Sequence, residues 1–483
     1  MASLTTRLAT LTRTTLRYRM KFTDNIENIS FDIDTLSEAY CQKKITPVDV
    51  IHEVYRRIAL TDQKQVWTNL VPEQEAITLA EKLTGIDPAS LPLYGIPFSV
   101  KDNIHVAQLQ TTAGCPAFSH YPDETATVVT KMLHAGSLLI GKNTMDQFAT
   151  GLVGIRSPEH PVNPFNAEYI PGGSSSGSAV AVATGLVSFS LGSDTGGSGR
   201  IPAAFNNVVG LKPTPGIIST HGMVYANRSF DCVPIFALTC SDARKIFDQA
   251  VGADPKDPFM RINSTQCETK TLSQKTIRVG IPAKSQRRFF GDTVAESCFD
   301  KAVERIQGLG GQVVEIDYSI FIEAGKKLFD GPLLAERLAS LEAFLQSHAN
   351  DVNSVVKSIV EKAKDYSAVD LCKETYRIAE LKVAAQKIFT DIDVMMVPTA
   401  GTIYKISQVE ADPVELNVNI GYYTYYANIL QLSAIAVPAA IRSDGLPFGV
   451  CFVASPLQDA FLAELGVMWQ KSTNLPLGCQ QHL

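Results

Sequence analysis

The stretch Gly172–Arg200 reads GGSSSGSAVAVATGLVSFSLGSDTGGSGR. Two Gly/Ser loops, 172–178 and 192–200, flank a run of small apolar residues. Glycine permits positive φ and lets several backbone N–H groups converge on one small space. A plain Gly/Ser linker is not interrupted by a buried-looking segment such as Ala179–Ala183, which reads as a short packed helix. A strand over Val187–Leu191 follows. Each serine-bearing loop therefore ends a rigid element, where a hydroxyl can be held in place. A phosphate cradle needs GxxxxGK[ST], and no Lys follows the first loop. A dinucleotide fingerprint needs GxGxxG, and neither loop has it. Two readings remain: tight turns, or a serine nucleophile surrounded by backbone N–H donors.

Upstream, Leu93–Ile104 reads LYGIPFSVKDNI, a short apolar strand that delivers Lys101 at its end. An ammonium group directly after a buried strand is costly unless it is paired or neutral. Thr127–Ala135 reads as a helix and Leu138–Gly141 as a strand, so the region 127–212 alternates helices and strands, the pattern of an α/β fold. Near the start, Asp32 is a cap for one helix. Thr46 followed by Pro47 starts a second that ends by Leu60, and Ala76–Leu83 is a third. Downstream, strands are expected over Arg278–Pro282, 310–316, 393–399, Ala434–Pro438 and Val450–Ala454. Helices are expected over Asp292–Leu309, Phe321–Phe329, Pro332–Ala349, Val369–Phe389 and Tyr423–Leu432, with one more at the end.

The chain has 483 residues, 45% hydrophobic and 19% charged, enough apolar material for a large core. Its formal charge of −6 and lack of a basic stripe in the body give nucleic-acid binding little support. No apolar run reaches the roughly 18 residues that span a bilayer. Nine scattered cysteines without a CxxC pair fit a reducing compartment. The eight histidines show no HExxH, so no metal and no other cofactor is expected. Residues 1–22 carry Arg7, Arg13, Arg17, Arg19 and Lys21 and no acid. This resembles a mitochondrial transit peptide, with a disordered basic tail or a start at Met20 as the alternatives. A cytoplasmic location is expected, with the mitochondrion as the alternative.

The blocks GIPFSVKDNI, PGGSSSGSA, GSDTGGSGRIPA and VGLKPT together resemble the amidase signature family of serine hydrolases, over about Ile33 to Trp469. The resemblance implies an α/β/α sandwich: a large, mixed, twisted central sheet covered by helices on both faces, here over 23–475, with 1–22 as an extension and 476–483 as a tail. It implies Ser198 as nucleophile, Ser174 as a bridging serine held by a cis peptide bond after Gly173, and Lys101 as base. It implies an oxyanion hole of backbone N–H groups from Thr195, Gly196, Gly197 and Ser198, with Asp194 and Arg200 holding the loop as an ion pair. Ser175 is a minor participant, and Ser176 stands where the family commonly has Gly. The chemistry asks for a neutral lysine. Lowering an amine from about 10.4 toward roughly 7–8 takes about 4 kcal/mol of differential solvation.

Within the family, 145–154 (MDQFATGLVG), 331–337, 398–404 and 444–450 look most like allophanate hydrolases. That implies Arg337 as the grip on a substrate carboxylate, with Gly151 and Asn419 as further pocket residues. Phe329 stands where those enzymes have Tyr, one hydroxyl fewer toward substrate. They often carry a further C-terminal domain, and 476–483 is too short for a counterpart. The implied reaction is allophanate to N-carboxycarbamate and ammonia, linked to urea carboxylase in urea degradation. The partner is a small-molecule amide, without nucleic acid or membrane, and a homodimer is compatible with the family. The rivals are the glutaminase component of glutamyl-tRNA(Gln) amidotransferase, another small-amide amidase, and a non-catalytic scaffold.

Overall fold

The computed structural model describes residues 26–261 and 276–479; the basic extension over 1–22 and positions 480–483 lie outside them. Among the described residues eleven strands form one sheet. They are β1 (Trp67–Leu70), β2 (Pro97–Lys101), β3 (Leu138–Asn143), β4 (Phe189–Leu191), β5 (Val209–Lys212), β6 (Ile235–Ala237), β7 (Arg278–Pro282), β8 (Gln312–Ile316), β9 (Val394–Pro398), β10 (Ser433–Ile441) and β11 (Pro447–Ala454). Their order is β1-β3-β2-β4-β6-β5-β10-β11-β9-β7-β8. The sheet is mixed. β3, β2 and β4 are parallel, as are β9, β7 and β8, and the pairs from β4 through β6, β5, β10 and β11 to β9 are antiparallel.

Side chains alternate across a strand, so a sheet covered on both faces sends odd and even residues to different cores. The strands β9 and β11 do this. Val394, Met396, Val450 and Phe452 join one buried cluster, while Met395, Val397, Cys451 and Val453 join another with Tyr318, Phe321, Tyr423 and Tyr426. The edge strands β1 and β8 are the exceptions, with partly exposed residues along their length. The α/β class and the mixed central sheet expected from the sequence are both present.

Local signals set the helix ends. Asp32 accepts from Thr35 N at the start of Ile33–Cys41, and Thr46 with Asp49 forms a capping box on Pro47–Leu60. Asp292 caps Thr293–Gly308 in the same way as Asp32. The helix expected over Tyr423–Leu432 is instead a 3₁₀ turn, Gly421–Tyr423, and a single α-turn, Tyr426–Ile429. The break falls where Thr424 O accepts from Arg200 Nη1 at 2.9 Å, and a carbonyl used this way is turned out of a regular helix. Among the described residues no helix is long and apolar enough to cross a membrane.

Behind the central strands, Trp469 of the Asp459–Thr473 helix is fully buried, packs on Phe452 at 5.4 Å and donates from Nε1 to Pro438 O at 2.9 Å. Trp469→Ala is expected to lower unfolding stability by about 3–5 kcal/mol in denaturant titrations. A loss below about 1 kcal/mol would mean that this helix does not pin the sheet.

Candidate active site

Parallel neighbours bring their carboxyl ends to one edge, and in α/β sheets ligands bind there. Lys101 closes β2 and lies level with Asn143, the last residue of β3. Val100 lies level with Leu191, the last residue of β4. Three loops therefore leave the sheet side by side: Asp102 onward, Thr144–Asp146, and Gly192–Arg200.

Lys101 is fully buried. Its Nζ donates to Ser174 Oγ and to Ser193 Oγ, each at 2.7 Å. Asn103 Nδ2 donates to the same Ser193 hydroxyl at 3.2 Å, and Ser175 Oγ donates to Ser193 O at 3.1 Å, tying the two serine loops together. The Gly173–Ser174 peptide is cis. A Cβ at Gly173 would sit 2.2 Å from Asp146 Oδ2, so only glycine fits this approach. Burial lowers the Lys101 amine to about 7, although the carboxylates of Asp146, Asp231 and Asp194 pull it upward.

Each of those carboxylates has its own partners. Asp194 accepts from Gly197 N at 2.8 Å, Gly199 N at 2.9 Å and Arg200 Nη2 at 3.0 Å. Burial alone would raise this carboxyl, but the Arg200 guanidinium holds it below the usual range. Arg200 also reaches Asn428 Oδ1 at 3.0 Å, so the pair is a structural brace for the loop, fully buried on both sides. Asp146 accepts from Gly154 N at 2.9 Å and Arg156 N at 2.8 Å. Asp231 accepts the Thr195 hydroxyl on one oxygen and Ala226 N, at 2.7 Å, on the other. Burial pushes Asp231 up to about 6.

Of the four N–H groups expected to form an oxyanion hole, one is occupied. Gly197 N–H is taken by Asp194 Oδ1, because the turn that positions Ser198 closes on that carboxylate. The N–H groups of Thr195, Gly196 and Ser198 have no partner among the described residues. Ser198 itself is buried on the same turn, just ahead of the Arg200–Phe205 helix.

Arg337, on the helix Leu334–His348, is 1% exposed. Its Nη1 donates to Thr150 Oγ1 at 2.9 Å, while Nε and Nη2 are buried without a partner among the described residues. Its guanidinium lies 5.0 Å over the ring of Phe329, which in turn lies 4.7 Å from Tyr425. Burial lowers Arg337 to about 10, against the pull of Asp231, so it stays charged at neutral pH. It is near enough to Lys101 to help depress that amine. Gly151, beside Thr150, has φ +150° and would drive a Cβ to within 2.8 Å of Asp146 Oδ2. Asn419 is not drawn into this group and donates to Tyr404 Oη at 3.4 Å. Its neighbour Asn417 is buried there instead, accepting from Leu152 N at 2.7 Å and donating to Tyr425 Oη at 2.9 Å.

Sequence reasoning did not single out Ser193, Thr150, Asp231 or Asn417. Ser193 was legible as the residue just before Asp194 in the second loop. The other three acquire their places only through contacts distant in sequence.

A family model described as Amidase matches residues 49–462. Urea amidolyase of Saccharomyces cerevisiae is 40% identical over 407 residues, covering 83% of this chain and 22% of the relative. The chain thus spans about a fifth of the length of that relative. The solved Kluyveromyces lactis allophanate hydrolase superposes with a TM-score of 0.85 at 33% identity, over 92% of this chain and 73% of that one. A glutamyl-tRNA(Gln) amidotransferase component of Shouchella clausii is 32% identical, over 91% of this chain and 96% of its own length.

A buried amine near 7 has a signature in stability. Between about pH 7 and 10.5 the unfolded chain holds a proton on Lys101 that the folded chain does not, so this residue makes stability rise with pH across that window. Lys101→Met is therefore expected to stabilise the fold by up to about 4 kcal/mol below pH 7, shrinking toward pH 10. A gain that does not change with pH in parallel denaturation series would show that the amine is charged in the folded protein throughout.

Proposed function

The chain belongs to the amidase family, and on that premise we propose that it hydrolyses allophanate to N-carboxycarbamate and ammonia. The observation that carries this reading is Arg337. A buried guanidinium with two unpartnered nitrogens is costly unless an anion meets it. A planar carboxylate fits its fork, and one side is already anchored by Thr150. The likeness to urea amidolyase and to allophanate hydrolase supports the same substrate.

In this reading Ser198 attacks the terminal carbonyl carbon of allophanate. Its proton passes to Ser174 Oγ as Ser174 gives its own to the Lys101 lone pair. The 2.7 Å bond between Lys101 and Ser174 supports that second transfer. For this step the neutral amine keeps an N–H on Ser193, and the 2.7 Å contact with Ser174 reverses, the Ser174 hydroxyl donating to the Nζ lone pair. The oxyanion is received by the N–H groups of Thr195, Gly196 and Ser198. Collapse breaks the C–N bond, and the Lys101 proton returns through Ser174 to the leaving nitrogen, which departs as ammonia. Water then attacks the Ser198 acyl ester by the same relay in reverse and releases N-carboxycarbamate. The supplying reaction is a carboxylation of urea, and a cytoplasmic setting suits both steps. Phe329 supplies a cation–π surface to Arg337 where a tyrosine would supply a hydroxyl.

A second reading, glutamine hydrolysis as the glutaminase component of an amidotransferase, is supported by the near full-length match to such a protein. Glutamine also carries a carboxylate, so Arg337 suits both.

Ammonia release from allophanate, malonamate, biuret and glutamine separates the two. Allophanate is expected to be turned over fastest, and a preference for glutamine would reverse the order of the readings. Ser198→Ala is expected to lose at least about 10³-fold in kcat. Arg337→Met is expected to raise KM for allophanate by about 10- to 100-fold, and an unchanged KM would remove the carboxylate grip. The kcat/KM of wild type is expected to rise with pH through about 7, as Lys101 loses its proton.

A further inference from the structure

The segment Ala226–Cys232 joins the two halves of the site and has no place in the chemistry above. On one side it is bonded to the nucleophile loop. Asp194 N donates to Cys232 O at 2.9 Å, Cys232 N donates to Asp194 O at 3.1 Å, and Thr195 Oγ1 donates to Asp231. On the other side it is bonded to the start of the helix that carries Arg337. Asn227 Nδ2 donates to Leu333 O at 3.0 Å, Ser229 N donates to Glu336 Oε2 at 3.0 Å, and Ser229 Oγ donates to Glu336 Oε1. Asp231 braces the segment internally through Ala226 N and Asn227 N.

We propose that this segment is a specificity bracket: through Ser229 and Glu336 it fixes the distance between the Ser198 loop and the Arg337 guanidinium, and so selects amides whose carboxylate lies one short step from the scissile carbonyl. The proposal rests on Arg337 as the carboxylate grip. Neither Ser229 nor Glu336 touches the reacting atoms; both are positioning residues that act through Arg337. A uniform loosening of the fold would slow every amide alike. A misplaced Arg337 penalises only a substrate that must engage the nucleophile and the guanidinium together.

The test compares kcat/KM for allophanate with that for biuret, its uncharged amide counterpart, in the full chain. Glu336→Ala removes both Ser229 bonds, leaving only Asn227 to Leu333 O, and is expected to lower the allophanate-to-biuret ratio by about tenfold or more, mainly through KM for allophanate, with biuret turnover unchanged. Glu336→Gln keeps an acceptor for Ser229 and is expected to hold the ratio within about twofold. Ser229→Ala deletes only the hydroxyl bond. It is expected to shift the ratio the same way by about threefold, and it decides the question if Glu336→Ala does not fold. Equal losses on both substrates, or an unchanged ratio in a wild type that prefers allophanate, overturn the bracket alone. A wild type that hydrolyses biuret but no carboxylated amide overturns the Arg337 reading and the bracket with it.

Discussion

The site depends on the exclusion of water from one amine. Among the described residues Lys101 has no carboxylate in hydrogen-bond contact, only the hydroxyls of Ser174 and Ser193. Three carboxylates lie near enough to favour its charged form, and burial still outweighs them. That balance explains how the acids are deployed. Asp194 is held by Arg200, Asp146 by the backbone N–H groups of Gly154 and Arg156, and Asp231 by Thr195 and Ala226. A carboxylate placed directly on the amine would keep the proton there and remove the base.

Two buried cations are thus handled in opposite ways. The lysine amine can shed its charge and does so near 7. The guanidinium of Arg337, lowered only to about 10, keeps its charge at neutral pH, and two of its nitrogens are unsatisfied among the described residues. One cation can give up its proton near neutral pH, and the other keeps its charge with room for an anion. The neighbouring hydroxyl of Tyr425 does not fill the gap at Arg337, because it is engaged with Asn417 as both donor and acceptor.

Much of this was readable in the chain because it is local. The caps at Asp32 and Thr46, the strand that ends at Lys101, and the two glycine-rich loops are all written within a few residues of where they act. The three-residue strands β4 and β6 are too short to show alternation, and β6 escaped the sequence reading. The helix expected over Tyr423–Leu432 failed for a long-range reason: Thr424 and Asn428 face Arg200, more than two hundred positions away. Gly197 had the right composition for an oxyanion donor, and only the fold reveals that Asp194 occupies its N–H.

This division has a physical cause. Lys101 and the two serine loops sit on β2 and on the segments that flank β4, parallel neighbours whose register leaves little freedom. The groups around Arg337 come from separate elements: Thr150 after β3, Phe329 after the Ser319–Lys326 helix, Asn417 on the Glu415–Ile420 helix, and Arg337 on its own helix. In the proposed reading such a pocket can be rebuilt by changing the side chains these elements contribute, without disturbing the amine or its serines. The same relay can therefore serve proteins of different substrate within one family. In the proposed reading, substrate choice lies with the tie between the Arg337 helix and the Ser198 loop rather than with the amine and its serines.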